Sequence, residues 1–200
     1  DEEIEKLISY TNPNRVELHD TILTLPENYC IDLGSIAKGY ISDKLKQFLI
    51  KENVASALIN LGGNIYAHGF NLDRKDYFWH IGLQDASEAR GIHIENLLIN
   101  DYALVTSGIS QRNFKNNGKL YHHILDSKTG MPVETDMTSI TILSKSALCA
   151  EILSTGLFGK TFDEIKQACR KYKAEAYIQY KDKEVKFTDG FEKFLRRTYD

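Results

Sequence analysis

Between positions 36 and 49 the apolar residues Ile36, Tyr40, Ile41, Leu45, Phe48 and Leu49 recur at spacings of three and four, which places them on one face of an amphipathic helix. That helix is expected to start at Ser35, whose hydroxyl suits an N-cap, and to run to about Lys51. Apolar runs elsewhere predict strands at residues 16–25 (stopped by Pro26), ending near Ile31-Asp32, and at 54–60, 65–68, 77–84, 93–100, 103–106 and 138–143. The residues up to Ser9 read as the end of a helix closed by Asn12-Pro13-Asn14. Asn116-Asn117-Gly118 predicts a hairpin turn between Arg112-Asn113-Phe114 and a strand over 120–125, and Asp126 to Gly130 another turn. Helices over 146–158 and 162–172 and a closing hairpin, 174–180 with 184–188, complete the chain. Strands and helices mix without strict alternation or repeat. The expected class is therefore α+β, a mixed sheet with packed helices, in one domain over 1–200.

Composition narrows the function classes. Two hundred residues, 42% apolar and 26% charged, suffice for a sizeable core. A net charge of −3 without a basic stripe argues against a nucleic-acid partner, and Arg196-Arg197 reads as a solvated helix face. Cys30, Cys149 and Cys169 form no C-x-x-C, so neither a disulfide framework nor a zinc spacing is present; they read as small hydrophobes and pull mildly toward a reducing compartment. No run reaches the ~20 apolar residues of a membrane span. The opening Asp1-Glu2-Glu3-Ile4-Glu5-Lys6 has neither a basic n-region nor an apolar h-region and no initiator methionine, which reads as a processed or truncated piece.

Four segments set polar residues and glycines beside apolar strands. In Asp32-Leu33-Gly34-Ser35-Ile36-Ala37-Lys38-Gly39-Tyr40 a strand passes through glycine into a helix N-terminus, where backbone N–H groups and the positive dipole end suit an anion and Lys38 adds a cation. An ordinary turn, with Asp32 on local backbone and Lys38 in solvent, accounts for the same residues; the segment is neither a Walker loop nor a G-x-G-x-x-G. Asn60-Leu61-Gly62-Gly63-Asn64 permits positive φ angles or close approach by a ligand, and turn chemistry explains it equally. Adjacent His122 and His123 would point to opposite faces of a strand, His123 with Leu125 and His122 with Ile124. A histidine near Asp126 serves either structure or general-base chemistry, and no third ligand stands at zinc spacing. Glu151 and Thr155, at i and i+4, offer one helical face bearing a carboxylate and a hydroxyl to a hard cation, too few to hold Mg2+ without waters and substrate phosphates. The structural alternative there is a buried Thr beside a partly exposed Glu.

Taken in order, these segments resemble the ApbE flavin transferases. The family pattern runs D-L-G-x-I-A-K-G-Y, N-L-G-G-N/D, T-S-G, H-I-x-D-x-x-T-G and D-x-x-x-T. Here the blocks stand as Asp32 to Tyr40, Asn60 to Asn64, Thr106-Ser107-Gly108, His123 to Gly130 and Glu151 to Thr155, within residues 32–158, with a C-terminal helix and hairpin over 160–200. The resemblance implies FAD as substrate together with Mg2+. Asp32 and Lys38 would contact FAD, Leu125 would lie against the flavin nucleotide, and the metal would be held by the Ser35 carbonyl and the side chains of Glu151 and Thr155. His123 matches the family's catalytic histidine, and Asp126 would orient it or the loop.

The activity so implied is transfer of FMN from FAD onto a Thr or Ser of an acceptor flavoprotein, with release of AMP. Family transferases commonly act outside the cytoplasmic membrane as lipoproteins, which makes an extracytoplasmic, lipid-anchored location the expectation and a cytoplasmic one the alternative. The sequence departs from the pattern at Glu151, where the family usually has Asp, and at Ser127, where it often has Pro. Family members also extend N-terminal of position 1 with a segment that contacts FAD. An FAD pyrophosphatase using water as nucleophile, and a non-catalytic FAD-binding module, are the competing readings.

Overall fold

The computed structural model describes residues 2–110, 113–116 and 119–196. In chain order the elements are α1 (Glu2–Ile8), β1 (Glu17–His19), β2 (Ile22–Thr24), α2 (Ala37–Lys51), β3 (Ser56–Leu61), β4 (Asn64–Gly69), β5 (Trp79–Gln84), β6 (His93–Ile99) and β7 (Tyr102–Gly108). Then come β8 (Asn113–Asn116), β9 (Lys119–His122), β10 (Met137–Ser144), α3 (Ala147–Gly156), α4 (Phe162–Tyr172), β11 (Glu175–Tyr180) and β12 (Val185–Phe187). The chain forms two compact units, residues 1–33 with 112–134 and residues 34–111 with 135–200. Among the described residues no helix is long and apolar enough to cross a membrane.

The larger unit is built on a six-stranded sheet in the order β12-β11-β10-β7-β4-β3. The α+β class is as expected, but every pairing in this sheet is antiparallel rather than mixed. One face carries Ala67, Leu104, Leu143 and Tyr177, which pack with Ile81, Leu83, Leu97 and Ile99 of the β5–β6 hairpin and with Phe191 and Phe194. Side chains alternate along a strand, so Ala103, Val105 and Ser107 of β7 point the other way, where α3 covers β7 and β10. Sandwiched on both faces, β10 is buried almost throughout. Alongside, α4 buries Ile165 and Cys169 and opens with a capping box in which Thr161 and Glu164 satisfy each other's backbone N–H.

In the smaller unit residues 16–25 form not one strand but the β1–β2 hairpin, because Asp20 takes the left-handed conformation (φ 55°) between His19 and Ile22. The strand expected to end at Ile31-Asp32 is absent; residues 29–33 have no regular structure. β8 and β9 pair as the expected hairpin, ending at His122. Its turn residues Asn117 and Gly118, like Arg112 and Arg197, lie outside the described residues. Under α1, Gly130 (φ 65°) lets the chain pass beneath Ile4 and Ile8, where a Cβ would fall 2.7 Å from Ile4.

The apolar stripe identifies α2, yet most of that face is exposed. Tyr40, Ile41, Leu45 and Phe48 are 52%, 48%, 38% and 58% exposed, while Gly39 and Ser42 are buried. The reason is backbone proximity: α2 meets α3 through its smallest residues, so the two helices approach more closely than a row of Ile and Phe would allow. Ser35 is not the cap either. Ile36 occupies the N-cap position and makes no side-chain cap bond.

Candidate functional site

Two features of α2 fix α3 against it. Asp43 accepts hydrogen bonds from Ser146 Oγ (2.7 Å), Ala147 N–H (2.8 Å) and Leu148 N–H (3.2 Å), acting as a cap supplied from another helix. Ser146 adds the local cap, its Oγ accepting from Cys149 N–H at 3.1 Å. One turn earlier on α2, Gly39 lies directly on the Ala147–Leu148 backbone.

This crossing delivers Glu151, one turn into α3, to the start of α2. Gly39 is the third residue of α2, and its N–H, which has no partner within the helix, donates to Glu151 Oε2. A carboxylate at this end also suits the helix dipole. Glu151 Oε1 accepts from Asn64 Nδ2 at 3.0 Å and pairs with Lys38 Nζ at 2.7 Å. Glu151 is only 3% exposed, the reverse of the partly exposed Glu of the structural alternative. The Lys38 ammonium also lies 3.5 Å from the Gly34 carbonyl oxygen, so it sits between the loop that precedes α2 and the carboxylate of α3.

The Gly-Gly turn explains how Asn64 arrives there. Gly62 and Gly63 adopt φ 61° and 98° in a two-residue hairpin between Leu61 and Asn64, a conformation that L-residues with side chains rarely take. No atom comes within 4 Å of a Cβ built on either glycine, so backbone conformation and not close approach requires them. The turn is tied by Gly63 N–H donating to Asn60 Oδ1 (2.9 Å), and it leaves Asn64 buried. Two residues along the same face of β4, Tyr66 is fully buried, and burial with Asp101 and Asp43 nearby pushes its phenol well above the usual tyrosine range. Ser107, of the Thr106-Ser107-Gly108 block, donates to Ser154 Oγ (3.0 Å) and lies 3.4 Å from Thr155 Oγ1.

Lys38 and Glu151 are therefore brought into contact, Thr155 follows one turn along the same helix, and Ser35 stands in the exposed turn before α2. Among the described residues no group of three or more His, Cys, Asp and Glu is set to hold a metal. The donor set is instead one of hard oxygens: carboxylate, hydroxyls and loop carbonyl. The Lys38 ammonium lies between the Glu151 carboxylate and the Gly34 carbonyl, and oxygens of these kinds are ones a magnesium-type ion takes.

The remaining expected site residues belong to the smaller unit. Asp32 is exposed in the irregular segment before Gly34. His123 lies in a bend just beyond β9 and is exposed, as is Leu125, while Ile124 is buried; the alternation expected of a strand persists past the strand's end. Asp126 shapes the loop: its Oδ1 accepts from Lys128 N–H (2.8 Å) and its carbonyl from Gly130 N–H (2.8 Å). Asn64, Asp43 and Gly39 had not been singled out from the sequence. Only Asn64 and Gly39 carried a signal, as members of glycine-containing blocks; Asp43 looks like any polar residue of an amphipathic helix.

Residues 1–178 match the model of the ApbE family. An FAD:protein FMN transferase from Klebsiella pneumoniae is 37% identical over 160 residues, 78% of this chain and 48% of that protein. Another from Treponema pallidum is 32% identical over 167 residues, 80% of this chain and 46% of that protein. The crystal structure of an ApbE protein from Thermotoga maritima superposes with a TM-score of 0.86 at 30% identity, covering 98% of this chain and 64% of its own. The flavin transferase ApbE from Vibrio cholerae gives 0.79 at 27% identity, covering 98% and 62%. The chain spans about half the length of the curated relatives it matches.

Proposed function

The chain belongs to the ApbE family, and from that premise we propose that it carries the catalytic region of an FAD:protein FMN transferase, which moves FMN from FAD onto a threonine or serine hydroxyl of an acceptor flavoprotein and releases AMP. One observation carries the reading. Lys38 and Gly39, Asn64 and Glu151, from three sequence blocks far apart in the chain, meet at one buried carboxylate, and Ser107 of a fourth block reaches α3 one turn on.

The chemistry follows from these residue types. His123 takes the proton of the acceptor hydroxyl as general base. That oxygen bonds to the phosphorus on the FMN side of the diphosphate, the bond from this phosphorus to the bridging oxygen breaks, and AMP leaves with the bond's electron pair. Lys38 and the N-terminus of α2 are groups suited to the negative oxygens of a diphosphate. Asp32 and Leu125 are assigned to FAD contacts, and Asp126 to shaping the loop that follows His123. Glu151, Thr155 and the Ser35 carbonyl would hold Mg2+, which supplies neutralising charge for the diphosphate when bound.

The test is to incubate the protein with FAD, Mg2+ and a candidate acceptor, then to look for flavin fluorescence on the acceptor after denaturing electrophoresis. A fluorescent acceptor band and stoichiometric AMP are expected, and both are lost with His123→Ala. AMP formed equally fast without acceptor would reassign the reaction to FAD hydrolysis. Full labelling by His123→Ala would remove that residue from the mechanism.

A further inference from the structure

We infer that Lys38 is a competing occupant of the cation site: its ammonium holds the Glu151 carboxylate in the unloaded protein and must leave before a divalent cation binds there. The inference rests on the reading of Glu151 as a cation ligand and adds an order of events to it. Glu151 has three donors, and they differ in freedom. Gly39 donates through helical backbone and Asn64 through a side chain only 5% exposed, so neither can withdraw without moving α2 or the β3–β4 turn. Lys38 is the third, with a side chain 43% exposed, a long flexible stem and open water to move into. It is also the only one of the three that carries charge.

An ammonium and a divalent ion cannot share Oε1, because like charges at contact distance repel and the buried carboxylate has a single negative charge to offer both. Oε1 is already turned to Asn64 and Lys38 and Oε2 to Gly39, and of these three partners Lys38 is the one free to give way to a metal. Once displaced, the Lys38 ammonium remains tethered at the second residue of α2, next to the helix N-terminus and released from Glu151. That is the condition in which a cation attracts a diphosphate. Cation loading thereby converts Lys38 from the counter-ion of Glu151 into a phosphate-facing charge, and leaves the ion's remaining positions to water and to the diphosphate.

The experiment measures Mn2+ binding to the protein without FAD, by the loss of the free-Mn2+ electron paramagnetic resonance signal. Wild type is compared with Lys38→Met, with Lys38→Gln as a second variant that keeps a polar side chain, and each with Glu151→Gln added. Removal of the competing ammonium is expected to tighten Mn2+ binding about tenfold in both Lys38 variants, and Glu151→Gln to abolish the gain. Unchanged or weaker binding in both Lys38 variants, with Mn2+ still lost on Glu151→Gln, overturns the competition and leaves Glu151 as a cation ligand. Absence of Mn2+ binding throughout, or binding indifferent to Glu151→Gln, overturns both.

Discussion

A Cβ placed on Gly39 would fall 2.6 Å from the carbonyl oxygen of Ala147 and 2.7 Å from the Cα of Leu148. Both are backbone atoms of α3, so neither can rotate aside as a side chain could. This contact sets how near α2 and α3 run, and the nearness lets a carboxylate on one helix accept the first-turn N–H of the other. Packing and site are thus the same contact seen from two sides.

Gly39→Ala should destabilise the protein by about 1–3 kcal/mol, the range for forcing extra atoms into a filled interior. The sign is informative, because alanine at an exposed helix position would instead stabilise by about 1 kcal/mol. Urea denaturation with linear extrapolation gives the number. A variant as stable as wild type would mean that the helices separate without penalty, and the crossing would lose its role in holding Glu151.

Asp43→Ala removes the acceptor for Ser146 Oγ and for the N–H groups of Ala147 and Leu148. Losing a helix cap of this kind costs about 1–2 kcal/mol. Hydrogen exchange adds a local signature: the first-turn amides of α3 should lose protection more than those of α4, which has its own capping box. Equal protection in wild type and variant would show that Ser146 alone suffices.

What the sequence made legible follows from which signals are local. The Gly62-Gly63 turn and the apolar runs of α3 and α4 act within a few residues, and the β3–β4 hairpin and both helices stand where turn chemistry and periodicity put them. The buried face of α2 was not legible. Hydrophobicity alone ranks Tyr40, Ile41 and Phe48 above Gly39 and Ser42, yet the contact that decides the matter is with backbone more than 100 residues away. Glu151 and Lys38 were each identifiable as chemistry-bearing residues, but their pairing was not, since nothing in either segment names its partner. Asp43 had no signal at all: a cap for another helix looks in sequence like a solvated charge.

Glu151→Gln keeps the shape and one acceptor oxygen but takes the counter-charge from Lys38. Breaking a fully buried ion pair costs several kcal/mol, but Lys38 is 43% exposed and can turn to water. The expected loss is therefore about 1–2 kcal/mol, mostly from poorer satisfaction of the Gly39 and Asn64 donors. A double-mutant cycle with Lys38→Met isolates the pair from the hydrogen bonds. A coupling indistinguishable from zero would show that the ammonium adds nothing to the folded state.

The three thiols should differ in reactivity, and the least reactive one should make stability depend on alkaline pH. Cys30 is exposed, Cys149 half-buried and Cys169 buried, so a thiol reagent at neutral pH should label Cys30 first and Cys169 only on unfolding. Burial, with Glu175 and Cys149 adding negative charge nearby, pushes the Cys169 thiol from its ordinary 9.0 up to about 12. The folded state therefore keeps a proton that the unfolded chain gives up, and that contribution to stability is complete below pH 9 and lost as pH rises toward 12. Tyr177, pushed from 10.0 to about 12 chiefly by burial, adds to the fall only above pH 10. Denaturation midpoints measured between pH 8 and 11 should decline from about pH 9, and Cys169→Ala should flatten the first part of that decline while leaving the later part in place. A midpoint constant up to pH 10 in wild type would mean that the thiol ionises in the folded protein as readily as in the unfolded one, and that the interior around α4 and β11 admits water.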